Sequence, residues 1–288
     1  MFKIPVFFRD EQVSYPKVYS PSPRKPGEVI TDWSDKFPQS IDIQSFEPVS
    51  RQDIYRAHDI TFANNILDGK TRNGFGTNDK DVAESLPYTS GSFYAACVEA
   101  LKNGKVACSP TSGFHHAEYD SAEGFCTFNG LMIAARRLQK EQEGLKIAVL
   151  DLDEHYGNGT DNIINRFNLQ STVQHWTLGS SNVSERNAQW FVTDGVKAII
   201  KEMHKNGAKV LMYQAGADCH INDPLGGRFT DEQLRQRDRV VFETCKALGL
   251  PVAWNLAGGY QKGSDGSIEK VLRIHRATME ECFKVYGE

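Results

Sequence analysis

Six cysteines in 288 residues, Cys97, Cys108, Cys126, Cys219, Cys245 and Cys282, include no Cys-x-x-Cys pair. That argues against a disulfide framework. Scattered thiols in a chain this long are expected to be reduced, as in a cytoplasmic protein. No apolar run approaches the roughly 18 residues that a transmembrane helix needs, so no membrane partner is expected. The stretch 2–8 has too short an apolar core and no small-residue cleavage site, so it is not expected to be a secretion signal. Neither sign of charge dominates: 33 basic against 37 acidic residues leave a net charge of −4, which gives no footprint for nucleic acid. Internal repeats, low-complexity tracts and linkers are also missing, and the expectation is one domain over residues 1–288.

What is present is an alternation of strand and helix patterns. Strands are predicted at 2–8, 106–108, 147–152, 172–178, 210–215 and 252–256. Helices are predicted at 50–67, 88–103, from about 130 to 142, and at 188–205, 230–249 and 267–286. Thr230 with Gln233 forms a capping box. This order implies βαβ units and an α/β fold of three layers, a mainly parallel sheet with helices on both faces. Residues 9–48, with Pro16, Pro21, Pro23, Pro26, Pro38 and Pro48, are predicted to be irregular, and 70–87 to form a second loop. Polar clusters follow the strands at 105–109, 147–152, 210–215 and 252–256. The carboxyl edge of a parallel sheet is where ligands bind.

The densest cluster is Val149-Leu150-Asp151-Leu152-Asp153-Glu154-His155-Tyr156-Gly157-Asn158-Gly159-Thr160. Read as a strand end, it points Asp151, Asp153 and His155 the same way. Carboxylates crowded together repel unless a cation joins them. Asp153, His155 and Asp218 supply two carboxylates and an imidazole. Three protein ligands with a fourth position left for water is the arrangement of a catalytic zinc site, and Fe²⁺ or Co²⁺ accepts the same donors. An isolated Asp-x-Asp-x-His can also be a solvated loop or a helix cap; the company of Asp218 argues further for a metal. His115 and His116 are adjacent, so both reach one site only from a loop, which Gly113 permits. One of them can carry a proton between water and a leaving amine. Tyr260 follows two glycines, and its hydroxyl can hold an oxyanion. Cys126 reads as wall rather than nucleophile.

Five motifs, in this order, resemble the histone deacetylase superfamily of zinc-dependent amidohydrolases: Gly113-Phe114-His115-His116-Ala117, Gly124-Phe125-Cys126, the run from Asp151 to Thr160, Gly216-Ala217-Asp218 with Asp223-Pro224-Leu225-Gly226, and Gly258-Gly259-Tyr260. The resemblance implies an arginase-like α/β fold, Zn²⁺ on Asp153, His155 and Asp218, and a possible K⁺. It implies His116 as general base and acid, His115 as its electrostatic partner, and Tyr260 as the group that polarises the scissile carbonyl. Asp151 would orient His115 and Asn158 would orient His116. Asn at 158 looks like the class II and class IV branches and their bacterial relatives. Phe125, with Gly124 and Gly258, would line the tunnel for an acylated lysine.

Two departures bear on specificity. The family's second aromatic tunnel wall has no counterpart in Gly179-Ser180-Ser181-Asn182-Val183-Ser184, and Gln174-His175-Trp176 does not match the family's monovalent-cation strand. A rim aspartate would fall near Asn78, Asp79 or Asp81. The expected reaction is removal of an acetyl or other acyl group from a lysine side chain or a related amine. Three alternatives stay open: an acetylpolyamine deacetylase, for which Asp10, Glu11, Asp79 and Asp81 offer acidic rim residues; an arginase-type ureohydrolase; and a silent acyl-ligand sensor.

Overall fold

A computed structural model describes residues 2–287. Seven strands form one parallel sheet in the order β2-β1-β3-β7-β6-β4-β5. They are β1 Ile4–Phe7, β2 Ile41–Gln44, β3 Val106–Ser109, β4 Ile147–Asp151, β5 Val173–Thr177, β6 Val210–Gly216 and β7 Val252–Ala257. The helices are α1 Lys25–Lys36, α2 Arg51–Ile54, α3 Ile60–Leu67, α4 Lys80–Asn103, α5 Gly130–Glu141, α6 Asn158–Arg166, α7 Ala188–Trp190, α8 Val196–Lys205, α9 Asp231–Leu248 and α10 Glu269–Tyr286. A π-turn at Phe191–Gly195 joins α7 to α8, so the helix expected over 188–205 is interrupted.

Alternate side chains of each strand feed two cores. Leu150, Leu211, Tyr213, Val252 and Trp254 pack with Trp33, Val196, Val241 and Met279 on one face. Ile147, Val149, Val210, Met212 and Ala253 pack with Phe93, Leu131 and Ile163 on the other. Both faces of the central strands are covered, which is why they read as continuous apolar runs. This is the three-layer α/β architecture expected. No helix is long and apolar enough to cross a membrane among the described residues.

The N-terminal third differs from expectation. Residues 9–48 are not irregular throughout: they contain α1 and β2. Pro26 lies in the first turn of α1, where its missing N–H costs nothing, so it starts a helix rather than breaking one. Val29, Ile30 and Trp33 then fall on one buried face. Residues 80–87 are likewise helical, not loop: Asp79 caps α4 by accepting from the Asp81 and Val82 amides, and the helix runs through Pro87. The helix expected over 50–67 is two helices, because Asp59 caps a second start by accepting from the Phe62 amide.

Candidate active site

The four strands flagged by polar clusters are neighbours in space, β3-β7-β6-β4, so their carboxyl ends form one continuous edge. Asp151 ends β4, and beyond it strand alternation gives way to a stepped turn. The Asp153 amide donates to Asp151 Oδ1 (3.2 Å), and the His155 amide donates to Asp153 Oδ1 (3.0 Å). Side-chain-capped turns, not the strand pleat, therefore aim Asp153 and His155. Gly216 ends β6 against the Asp153 backbone, where no Cβ would fit. Asp218 follows two residues later.

Asp153, His155 and Asp218 converge, with one ligand atom from each lying within 4.8 Å of the others. His155 Nδ1 is 3.2 Å from both Asp153 Oδ1 and Asp218 Oδ2. Both carboxylates are buried. Burial, and then the charge of Asp153, push Asp218 up from the ordinary carboxylate range. Hydrogen bonds to the two carboxylates push His155 up to about 11. The cluster thus draws positive charge to itself, a condition that a divalent cation satisfies. Two carboxylate oxygens and one imidazole nitrogen at this spacing fit a metal whose bonds are about 2.0–2.2 Å long.

The two histidines sit beside this cluster, with ring centroids 4.1 Å apart. His115 Nδ1 is 2.6 Å from Asp151 Oδ2, and its Nε2 is 3.5 Å from Asp153 Oδ1. Burial disfavours charge on His115, but the fields of Asp151 and Asp153 outweigh it and raise its pKa to about 9. His116 Nδ1 is 2.6 Å from Asn158 Oδ1. Burial, and then the charge on His115, lower its pKa. Since Asn158 Oδ1 can only accept, Nδ1 of His116 carries the proton and Nε2 is free to take another. The Asn158 amide nitrogen donates to Glu118 Oε1 (3.0 Å) and Glu123 Oε1 (2.8 Å), which fixes its orientation.

Tyr260 is buried and closes the group from β7. Its amide donates to Asp223 Oδ2 (2.8 Å), and its ring lies 5.5 Å from that of Phe125. Burial, and then the charges of Asp218 and Asp153, keep the phenol well above its ordinary pKa, so it stays a donor. A Cβ on Gly258 would collide with the Asp218 carboxylate. Phe125 has a left-handed backbone (φ 64), a strained state for a bulky residue. The preceding Gly124 lies against the His116 ring, where a Cβ would clash.

A model of the histone deacetylase domain matches residues 28–177, just over half of the chain. The chain belongs to the histone deacetylase family. A protein of Picosynechococcus is 31% identical over 215 residues, covering 69% of this chain and 70% of its own length. A probable deacetylase of Methanothermobacter thermautotrophicus is 27% identical over 200 residues, and the chain spans 58% of it. The crystal structure of an acetylpolyamine aminohydrolase from Burkholderia pseudomallei superposes with a TM-score of 0.72 at 15% identity, over 98% of this chain and 99% of that one. At that identity the likeness is one of fold. Family membership supports hydrolase activity on acetyl amides and the use of a metal.

For this family member, the residues expected from sequence, from His115 to Tyr260, meet at one edge. Several of their neighbours were not foreseen. Lys25, fully buried in the first turn of α1, donates to the Gly258 carbonyl. Burial lowers its pKa to about 8 against the pull of Asp218 and Asp153. Tyr19 and Phe75 each stack with Phe125, with ring centroids 6.2 Å away in both cases. Segment 179–184 contributes no aromatic ring to this group. Gln214 Nε2 donates to Asp151 Oδ1 (2.8 Å). The spacing of Val29, Ile30 and Trp33 after Pro26 could have marked the helix that carries Lys25, but no local pattern marks the contacts of Lys25, Tyr19, Phe75 or Gln214.

Proposed function

We propose that this protein is a metal-dependent amidohydrolase that removes an acetyl or other acyl group from a lysine side chain or related amine. The observation that carries the reading is the asymmetric His115–His116 pair beside the Asp153–His155–Asp218 cluster. Those three residues would hold Zn²⁺, with Fe²⁺ as the alternative, and the ion would supply Lewis acidity toward the acyl carbonyl and toward water.

The protein's own groups then divide the work. His116 Nε2 takes the proton of the attacking water, because its other nitrogen is committed to the neutral Asn158. As the carbonyl carbon becomes tetrahedral, the Tyr260 hydroxyl donates a hydrogen bond to the developing oxyanion. His115, held charged by Asp151, adds a fixed positive field and keeps His116 from protonating too readily. The same proton on His116 then passes to the leaving nitrogen, which departs as a neutral amine. Phe125, flanked by Tyr19 and Phe75, offers an apolar surface to the methylenes of the amine's chain. Gly124 and Gly258, which would also line this surface, let His116 and the Asp218 carboxylate approach closely.

A second reading is the same chemistry on an acetylated polyamine, the substrate class named for the Burkholderia enzyme. An arginase-type reaction would need Asp151 as a ligand of a second metal, but its Oδ1 accepts from Gln214 and Asp153 and its Oδ2 faces His115. Turnover of an acetyl-lysine peptide and of acetylspermidine, with metal content per chain, tests these readings. Hydrolysis of the peptide amide at one metal per chain is expected. Tyr260→Phe should lose about 10²–10³ in kcat and keep its metal; near-normal turnover in that variant would remove Tyr260 from the mechanism.

A further inference from the structure

His175 lies on β5, opposite Val149 of β4, and its side chain is 3% exposed. Its Nδ1 is 2.7 Å from Asp161 Oδ1 on α6. Among the described residues its Nε2 has no hydrogen-bond partner, and it stands 3.8 Å from Asp151 Oδ2, the oxygen that holds His115. Carboxylates thus face both nitrogens of one buried imidazole. Asp161 continues the row outward, where its Oδ2 accepts from the Tyr156 hydroxyl at 2.6 Å. Tyr156 is exposed. The row runs Tyr156, Asp161, His175, Asp151, His115, from solvent to the floor of the site.

Gly157 allows the approach of the inner pair. A Cβ there would sit 2.6 Å from Asp151 Oδ2 and 3.0 Å from His175 Cε1. Any side chain at 157 would wedge between the carboxylate and the imidazole. The gap of 3.8 Å is about 1 Å longer than an N–H···O hydrogen bond.

We propose that His175 is a positioning residue: it shares the Asp151 carboxylate with His115 and anchors that carboxylate, through Asp161, to the outer layer of the fold. The proposal rests on the reading of His115 as part of the reaction. Without His175, among the described residues the amides of Gln214 and Asp153 on Oδ1 and His115 itself on Oδ2 are what restrain Asp151. The carboxylate then swings, and His115 swings with it. Groups one step behind such a site commonly change activity by about 10–100-fold when removed.

The test compares wild type, His175→Phe, His175→Gln and Asp161→Asn for kcat and KM on an acetyl-lysine peptide. It also measures metal content and the proton resonance of the His115–Asp151 hydrogen bond. The expected result is a loss of about tenfold in kcat for His175→Phe at unchanged KM and metal content, with that resonance shifted. His175→Gln, whose amide still donates toward Asp151, restores most of the rate, and Asp161→Asn shows a smaller loss of the same kind. Wild-type kcat with an unmoved resonance in His175→Phe overturns the proposal. So does an equal loss in the Phe and Gln variants accompanied by loss of metal, which marks a merely structural residue. If the wild type hydrolyses neither peptide nor acetylspermidine, the proposed function fails, while the resonance still decides whether His175 holds the pair.

Discussion

His115 and His116 are consecutive residues with rings 4.1 Å apart, yet they occupy opposite electrostatic settings. His115 is buried, its Nδ1 is on a carboxylate, and behind that carboxylate stands a second imidazole. His116 is partly open, its Nδ1 is on a neutral amide, and behind that amide stand two surface glutamates. One setting fixes a charge; the other leaves a proton movable. The difference teaches that the partner of Nδ1, more than the residue type, assigns the role. The charged neighbour also lowers the affinity of His116 for its proton. The two settings therefore work as one unit.

The comparison can be broken experimentally, and removing what both histidines share should do most. Chelation of the metal is expected to abolish turnover, and added Zn²⁺ should restore it; full activity in chelator would take Asp153, His155 and Asp218 out of the mechanism. Next in size, His116→Ala should lower kcat by about 10³-fold and His115→Ala by about 10²-fold. The order matters more than the values. A greater loss at 115 in steady-state assays at neutral pH would reverse the assignment of proton carrier and fixed charge. The smallest effect is the most pointed. Asn158→Asp gives His116 the same kind of partner that His115 has. A carboxylate favours the protonated ring, which cannot accept a proton. The acid limb of kcat/KM should therefore move to higher pH, with a loss of about tenfold below neutrality. An unmoved limb would mean that the Nδ1 partner does not set the role.

Much of this site was legible because its pieces are short contiguous runs at strand ends: Gly113–Ala117, Asp151–Thr160, Gly216–Asp218 and Gly258–Tyr260. Within each run, spacing alone restricts what the side chains can reach. The sheet was legible for a related reason, since strands buried on both faces read as apolar runs. The N-terminal region was not. Its prolines were weighed as breakers, although Pro26 opens α1 and brings Lys25 beneath Gly258. A buried lysine there is set by contacts across more than 200 residues, which no local pattern encodes. The same holds for Tyr19 and Phe75 on Phe125, and for His175, whose partners come from β4 and α6. Strand alternation also claimed too much: it aims Asp151, while Asx-type turns aim Asp153 and His155.

The strand order carries a consequence for synthesis. Among the described residues β7 is the last strand in sequence, yet it lies between β3 and β6. Until residues 252–257 have left the ribosome, the nascent sheet has a gap at its middle, with two open edges facing each other. The Gly258–Tyr260 corner can enter only with that strand, so the Asp218 carboxylate is not covered before then. A metal held by Asp153, His155 and Asp218 would be enclosed only once β7 is in place. The gap between β3 and β6 is where a chaperone, or a neighbouring nascent chain, would find exposed backbone to pair with.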